Sequence, residues 1–154
     1  MTTQTIYQLA LVLHIAGLTI MAGTTVADYF IFKKFWKQFE TDKVSAAVIY
    51  KAMSGFAVLF GIGFLLLLVS GVTMMGITHG AFGEQSWFRI KFGLIIIIIL
   101  NGIFIGRRQG AKLRKYLPGG EESLVQVKRN MNLFHLLQFV LFISIYILSV
   151  FKFN

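Results

Sequence analysis

Four long apolar runs constrain this chain more than any other feature, because a lipid bilayer admits only helices and closed barrels. A membrane-spanning helix needs about 20 mostly apolar residues. Stretches of this kind are found at about 6–32, 52–76, 87–106 and 130–151. We therefore predict an all-α integral membrane protein, in which residues 1–154 form a single transmembrane domain folded as a four-helix bundle.

The composition and the motifs narrow the function. Hydrophobic residues make up 56% of the chain and charged residues 14%, against about 45–50% and roughly 25% in soluble domains. Because the chain has no cysteine, a disulfide scaffold, a zinc-thiolate site, a cysteine nucleophile and a c-type haem attachment site are excluded. We find no catalytic triad, pair of catalytic carboxylates or phosphate loop, so hydrolytic and nucleotide-dependent activities are disfavoured.

The basic residues are distributed unevenly between the two sides of the predicted bundle. Five Lys and Arg residues lie in the loop 33–51 and seven in the loop 107–129, against Arg89, Lys91 and Lys152 on the opposite side. Such asymmetry places the basic loops in the cytoplasm. We therefore expect both termini to be extracytoplasmic and the protein to be a multi-pass protein of a bacterial-type inner (plasma) membrane. The positive charge points to the bilayer as partner, not to nucleic acid.

Ionisable and amide side chains are costly within membrane spans and are candidates for function there. In this chain they are His14, Asp28, Lys91, Asn101, His135 and Gln138. With a rise of about 1.5 Å per residue, His14 and Lys91 both fall in the outer half of the bundle. His135 falls near the cytoplasmic end, so Lys91 is the better partner for His14.

One face of the first span carries small and polar residues at helical spacing: His14, Gly17, Met21, Thr25 and Asp28. This spacing predicts a face that turns inward. The second span is rich in glycine, which allows either close helix packing or room for a flat cofactor.

Each polar candidate also has a purely structural interpretation. His14 can bond a neighbouring helix, Lys91 can extend to the headgroups, and Asp28 can pair with a cytoplasmic lysine. Asp28, Asn101, His135 and Gln138 form a secondary polar cluster. For Asn101, His135 and Gln138, an interhelical hydrogen-bond network is the favoured interpretation over a second metal or haem site.

Two segments resemble a known family. The sequence LVLHIAGLTIMAGTTVADYFIF around His14 resembles the first helix of HemJ-type protoporphyrinogen oxidases and of the related CopD-like membrane proteins. The segment from Trp87 to Lys91, WFRIK, resembles the W-F-x-x-K start of the third helix of that family. Four spans within this length agree with the same layout.

The resemblance implies one haem b, with His14 and Lys91 as the ligands of its iron. It also implies a redox protein that oxidises protoporphyrinogen IX to protoporphyrin IX, with a quinone or a respiratory-chain component as electron acceptor. The residues identify no catalytic group and leave both enzyme activity and homo-oligomerisation open. The alternative is a non-enzymatic membrane protein, either a CopD-like transport or accessory subunit or a structural helical bundle.

Overall fold

The structure is a computed structural model that describes residues 2–81, 83–116 and 121–151. Within these ranges all regular structure is helical, which confirms the all-α prediction. The α-helices are α1 (Thr3–Phe39), α2 (Lys43–Met53), α3 (Phe56–Ile77), α4 (Ser86–Leu100), α5 (Arg107–Tyr116) and α6 (Glu121–Val150), and a π-helical segment (Asn101–Gly106) joins α4 to α5. Lys152, which entered the charge count, lies outside the described residues.

Among the described residues, four helical stretches are long and apolar enough to cross a membrane: Thr3–Phe39, Lys43–Ile77, Ser86–Lys115 and Leu124–Val150. The chain is therefore a multi-pass membrane protein. The helices continue past the apolar runs into the basic segments. The 37 residues of α1 correspond to a length of roughly 55 Å, whereas the hydrocarbon core is about 30 Å thick.

The chain divides into two compact units, Met1–Phe82 and Gly83–Asn154. In the first unit α1 and α3 pack together. They run antiparallel, because His14 contacts Ser70 whereas the later Met21 lies beside the earlier Gly63. The two helices lie close together at Gly17 and Gly63, where a Cβ added to either glycine would lie 2.8 Å from the carbonyl oxygen of the other. Small residues permit such close contact between helix backbones in membranes.

Aromatic rings hold α2 against the basic end of α1. The rings of Phe35 and Trp36 are 5.3 Å apart, and Phe35 lies 6.3 Å from Tyr50 of α2. Phe35 is fully buried. Asp42 caps α2, because its Oδ1 accepts the backbone N–H of Val44 at 2.9 Å. This cap satisfies a backbone donor that has no partner inside the helix.

Backbone hydrogen bonds cap the C-terminus of α3. The N–H of Gly80 donates to Met75 O at 3.0 Å, and the N–H of His79 donates to Gly76 O at 3.2 Å. His79 and Gly80 both have positive φ, 51° and 78°. This is the pattern of a Schellman motif, which usually has glycine where His79 stands.

In the second unit α6 packs against both α4 and α5. The helices α4 and α6 run antiparallel, because Lys91 bonds Ser149 whereas the later Ile98 bonds the earlier Gln138. The π-helical segment interrupts the span between α4 and α5, where the N–H of Arg107 bonds the carbonyl of Gly102, five residues earlier. π-Helical turns are rare in proteins, and those that occur are often found at functional sites.

Candidate functional site

His14 lies on the face of α1 that packs against α3. Its Nδ1 is 3.0 Å from Oγ of Ser70. A Cβ added to Gly71 would lie 3.6 Å from Cε1 of the same ring, so Gly71 brings only backbone to the imidazole. The imidazole is half-buried, whereas Ser70 is buried.

The small and polar face of α1 turns towards the interior, as the spacing predicted. Gly17, Met21 and Thr25 on this face are buried, and Asp28 is half-buried at its basic end. Thr25 donates its hydroxyl to Met21 O at 2.9 Å, which satisfies the hydroxyl within its own helix. The predicted pairing of Asp28 with a cytoplasmic lysine stays a prediction.

The glycines of α3 have different environments. Gly63 is closely packed, because a Cβ there would lie 2.7 Å from Met21 Cγ and 2.8 Å from Gly17 O. Gly71 faces the imidazole of His14, while Cβ atoms at Gly61 and Gly76 would meet nothing within 4 Å among the described residues. Close helix packing therefore explains the glycine at position 63. At position 71 the glycine leaves the imidazole of His14 facing backbone and no side chain.

Lys91 lies on α4, near the start of the third span. Its Nζ donates to Oγ of Ser149 on α6 at 2.9 Å. The hydroxyl of Ser149 donates in turn to Ile145 O at 2.7 Å. Ser149 therefore accepts from the amine while it is fixed to its own helix. The side chain of Lys91 is half-buried, and Arg89, one half-turn earlier, is exposed.

The cluster of Asn101, His135 and Gln138 forms part of the contact of α6 with α4 and the π-helical segment. Asn101 Nδ2 donates to Phe134 O at 3.3 Å, and Gln138 Nε2 donates to Ile98 O at 3.4 Å. Each amide therefore bonds the backbone of the opposite element. His135 Nδ1 lies 2.8 Å from Met131 O on its own helix.

This cluster is deeply buried, with exposed fractions of 5% for Asn101, 1% for Gln138 and 0% for His135. In the part of the chain that the structure describes, Asn101 Oδ1 and Gln138 Oε1 are buried without a hydrogen-bond partner. Buried acceptors of this kind are costly in an apolar medium. Asp28, the fourth member of the predicted cluster, belongs to the first unit.

The chain matches no protein-family model, no curated protein and no solved structure. Among residues 2–81, 83–116 and 121–151 there is also no group of three or more His, Cys, Asp or Glu side chains that could hold a metal ion.

Sequence reasoning missed three features of these sites. Ser70 and Ser149 were not singled out as partners of the histidine and the lysine, although each interrupts an apolar run. The π-helical turn was also missed. The sequence signal for it is the presence of Asn101, Gly102 and Gly106 within an otherwise apolar stretch. A change of the backbone hydrogen bonds from i−4 to i−5 leaves no recognisable periodicity in the side chains, so this signal did not identify the turn.

Proposed function

We propose that this chain is a b-type haem-binding redox protein of a bacterial-type inner (plasma) membrane, similar to the HemJ family. In this proposal the four spans form one bundle, with both termini extracytoplasmic and both basic loops cytoplasmic. The observation that carries it is the environment of His14. This half-buried imidazole lies within a membrane span. Its Nδ1 is within hydrogen-bond distance of the Ser70 hydroxyl, and its ring faces Gly71.

The donor groups fit the iron of a haem. His14 would supply an imidazole, which is a common ligand of haem iron. Lys91 would supply an amine as the second donor, which binds metal only in its neutral form because the ammonium has no acceptor. These two side chains would hold the haem through its iron. Bound haem would supply one-electron transfer chemistry, and the chain would adjust its potential through the ligands and their burial.

Oxidation of protoporphyrinogen IX to protoporphyrin IX is the most specific form of this proposal. It rests on the resemblance of the segments around His14 and Lys91, with a quinone or a respiratory-chain component as electron acceptor. Turnover of protoporphyrinogen with a quinone in detergent tests this form separately. A haem spectrum without turnover would contradict the oxidase activity but remain consistent with a haem-binding redox protein.

Absorption spectroscopy tests haem binding. We expect protein purified from haem-replete cells to show a Soret band that shifts on reduction with dithionite. His14→Ala and Lys91→Met should each shift or abolish it. His79→Asn is the matched control, because His79 is exposed and asparagine tolerates its positive φ. An unchanged band in both ligand variants would contradict the ligand assignment.

The alternative is a non-enzymatic membrane protein, a CopD-like transport or accessory subunit or a structural bundle. Two contacts favour the structural bundle, because His14 and Ser70 join α1 to α3, and Lys91 and Ser149 join α4 to α6. A colourless protein whose stability falls in His14→Ala and Lys91→Met would support this alternative.

A further inference from the structure

The hydroxyl of Ser70 has its single proton committed to its own helix. Its Oγ lies 2.5 Å from Leu66 O and 3.2 Å from Leu67 O. A backbone carbonyl can only accept, so the hydroxyl must be the donor in this contact. Serine hydroxyls in helices often bond the carbonyl four residues earlier in this way.

The contact between Ser70 and His14 therefore has a defined direction. Because the hydroxyl proton points to Leu66 O, Oγ must accept from His14, and Nδ1 must be the donor across the 3.0 Å contact. A neutral imidazole has one protonated nitrogen. With the proton on Nδ1, the lone pair that can bind a metal lies on Nε2.

We propose that Ser70 is a positioning residue that holds His14 in the Nδ1–H tautomer and presents Nε2 to the haem iron. The identity of the metal rests on the proposed function, whereas the tautomer rests on the contact of His14 with Ser70. Histidine ligands commonly donate their other ring N–H to a fixed acceptor, which sets the orientation and basicity of the ring. Ser70 is 1% exposed, so water does not replace it readily.

The first experiment measures the tautomer in protein without haem. The ¹⁵N chemical shifts of the His14 ring, recorded at a pH where the ring is neutral, should show a protonated Nδ1 and an unprotonated Nε2. In Ser70→Ala we expect the Nε2–H tautomer to appear. Ser70→Thr retains a hydroxyl and should restore the wild-type spectrum. A wild-type ring with its proton on Nε2 would overturn the proposal without any variant.

The second experiment measures the haem content and the midpoint potential of the purified protein. Loss of such a partner typically lowers metal affinity by about 10- to 100-fold, so Ser70→Ala should retain less haem and shift its midpoint potential. Thr73→Ala is the matched control, because Thr73 bonds Val69 O at 2.8 Å on the same helix. It should leave the tautomer, the haem content and the potential unchanged.

The two experiments separate the two claims. Equal haem affinity and potential in wild type and Ser70→Ala would overturn the positioning role. A wild-type protein that binds no haem would contradict the proposed function, and with it the role of Ser70 towards iron. The ¹⁵N spectra would then still decide the assignment of the Ser70–His14 hydrogen bond.

Discussion

Gly17 of α1 and Gly63 of α3 face each other so closely that a Cβ on either would lie 2.8 Å from the carbonyl oxygen of the other. Because both contacts are with backbone, a change of rotamer cannot relieve them. This crossing determines how close α1 and α3 lie, and it thereby positions His14 beside Ser70 and Gly71.

We predict that Gly63→Ala destabilises the protein by about 1–3 kcal/mol, the usual effect of overpacking. Gly61→Ala is the control on the same helix, since its Cβ would meet nothing within 4 Å among the described residues. Replacing this exposed helical glycine should be neutral or stabilising by up to about 1 kcal/mol. The free energy of unfolding in mixed detergent micelles compares the two variants, and equal stabilities would refute the close crossing.

The imidazole of His14 should tolerate alanine at position 71 but not a large side chain. The added Cβ would make an ordinary contact of 3.6 Å with Cε1 of the ring, so Gly71→Ala should keep its haem. Gly71→Leu should displace the ring and lose haem, whereas Gly76→Leu, whose Cβ would meet no described atom within 4 Å, should not. Soret absorbance per chain provides the measurement. Full haem content in Gly71→Leu would place the haem away from this side of His14.

The sequence predicted part of this arrangement and could not predict the rest. The spans follow from hydropathy, because lipid requires every backbone polar group to be bonded within the helix. The inward face of α1 follows from helical periodicity. The Ser70 contact depends on how α3 is rotated relative to α1, and no local pattern encodes that rotation. The glycines of α3 read alike in sequence, yet Gly63 is closely packed and Gly61 is open.

The N-cap of α2 should be sensitive to acid. Hydrogen bonds from the Ser45 hydroxyl, and from the backbone N–H groups of Val44 and Ser45, lower the pKa of Asp42 below its ordinary value of 3.8. The stabilisation by this cap is therefore fully present above that value, and it is lost as the pH falls through the lower pKa of the folded state.

The Val44 amide resonance should report this titration, with a midpoint below pH 3.8. Asp42→Asn keeps a good N-cap but has no titrating group there, so its Val44 resonance should not show this transition. A midpoint at or above 3.8 in the wild type would be inconsistent with the cap.

The orientation of the chain can be tested by cysteine labelling, because the sequence contains no native cysteine. We predict that a membrane-impermeant maleimide labels Gln4→Cys when the inner membrane is intact. It should label Thr41→Cys, which lies between α1 and α2 within the basic loop 33–51, only after the membrane is permeabilised. Both positions are exposed. The reverse pattern would invert the proposed topology.

The haem content of the purified chain tests the central claim most directly. We predict about one haem b per chain by the pyridine haemochrome assay for the wild type and for His79→Asn, and a large loss in His14→Ala. A wild-type chain from haem-replete cells that carries no haem, or a His14→Ala variant that keeps a full complement, would contradict the account.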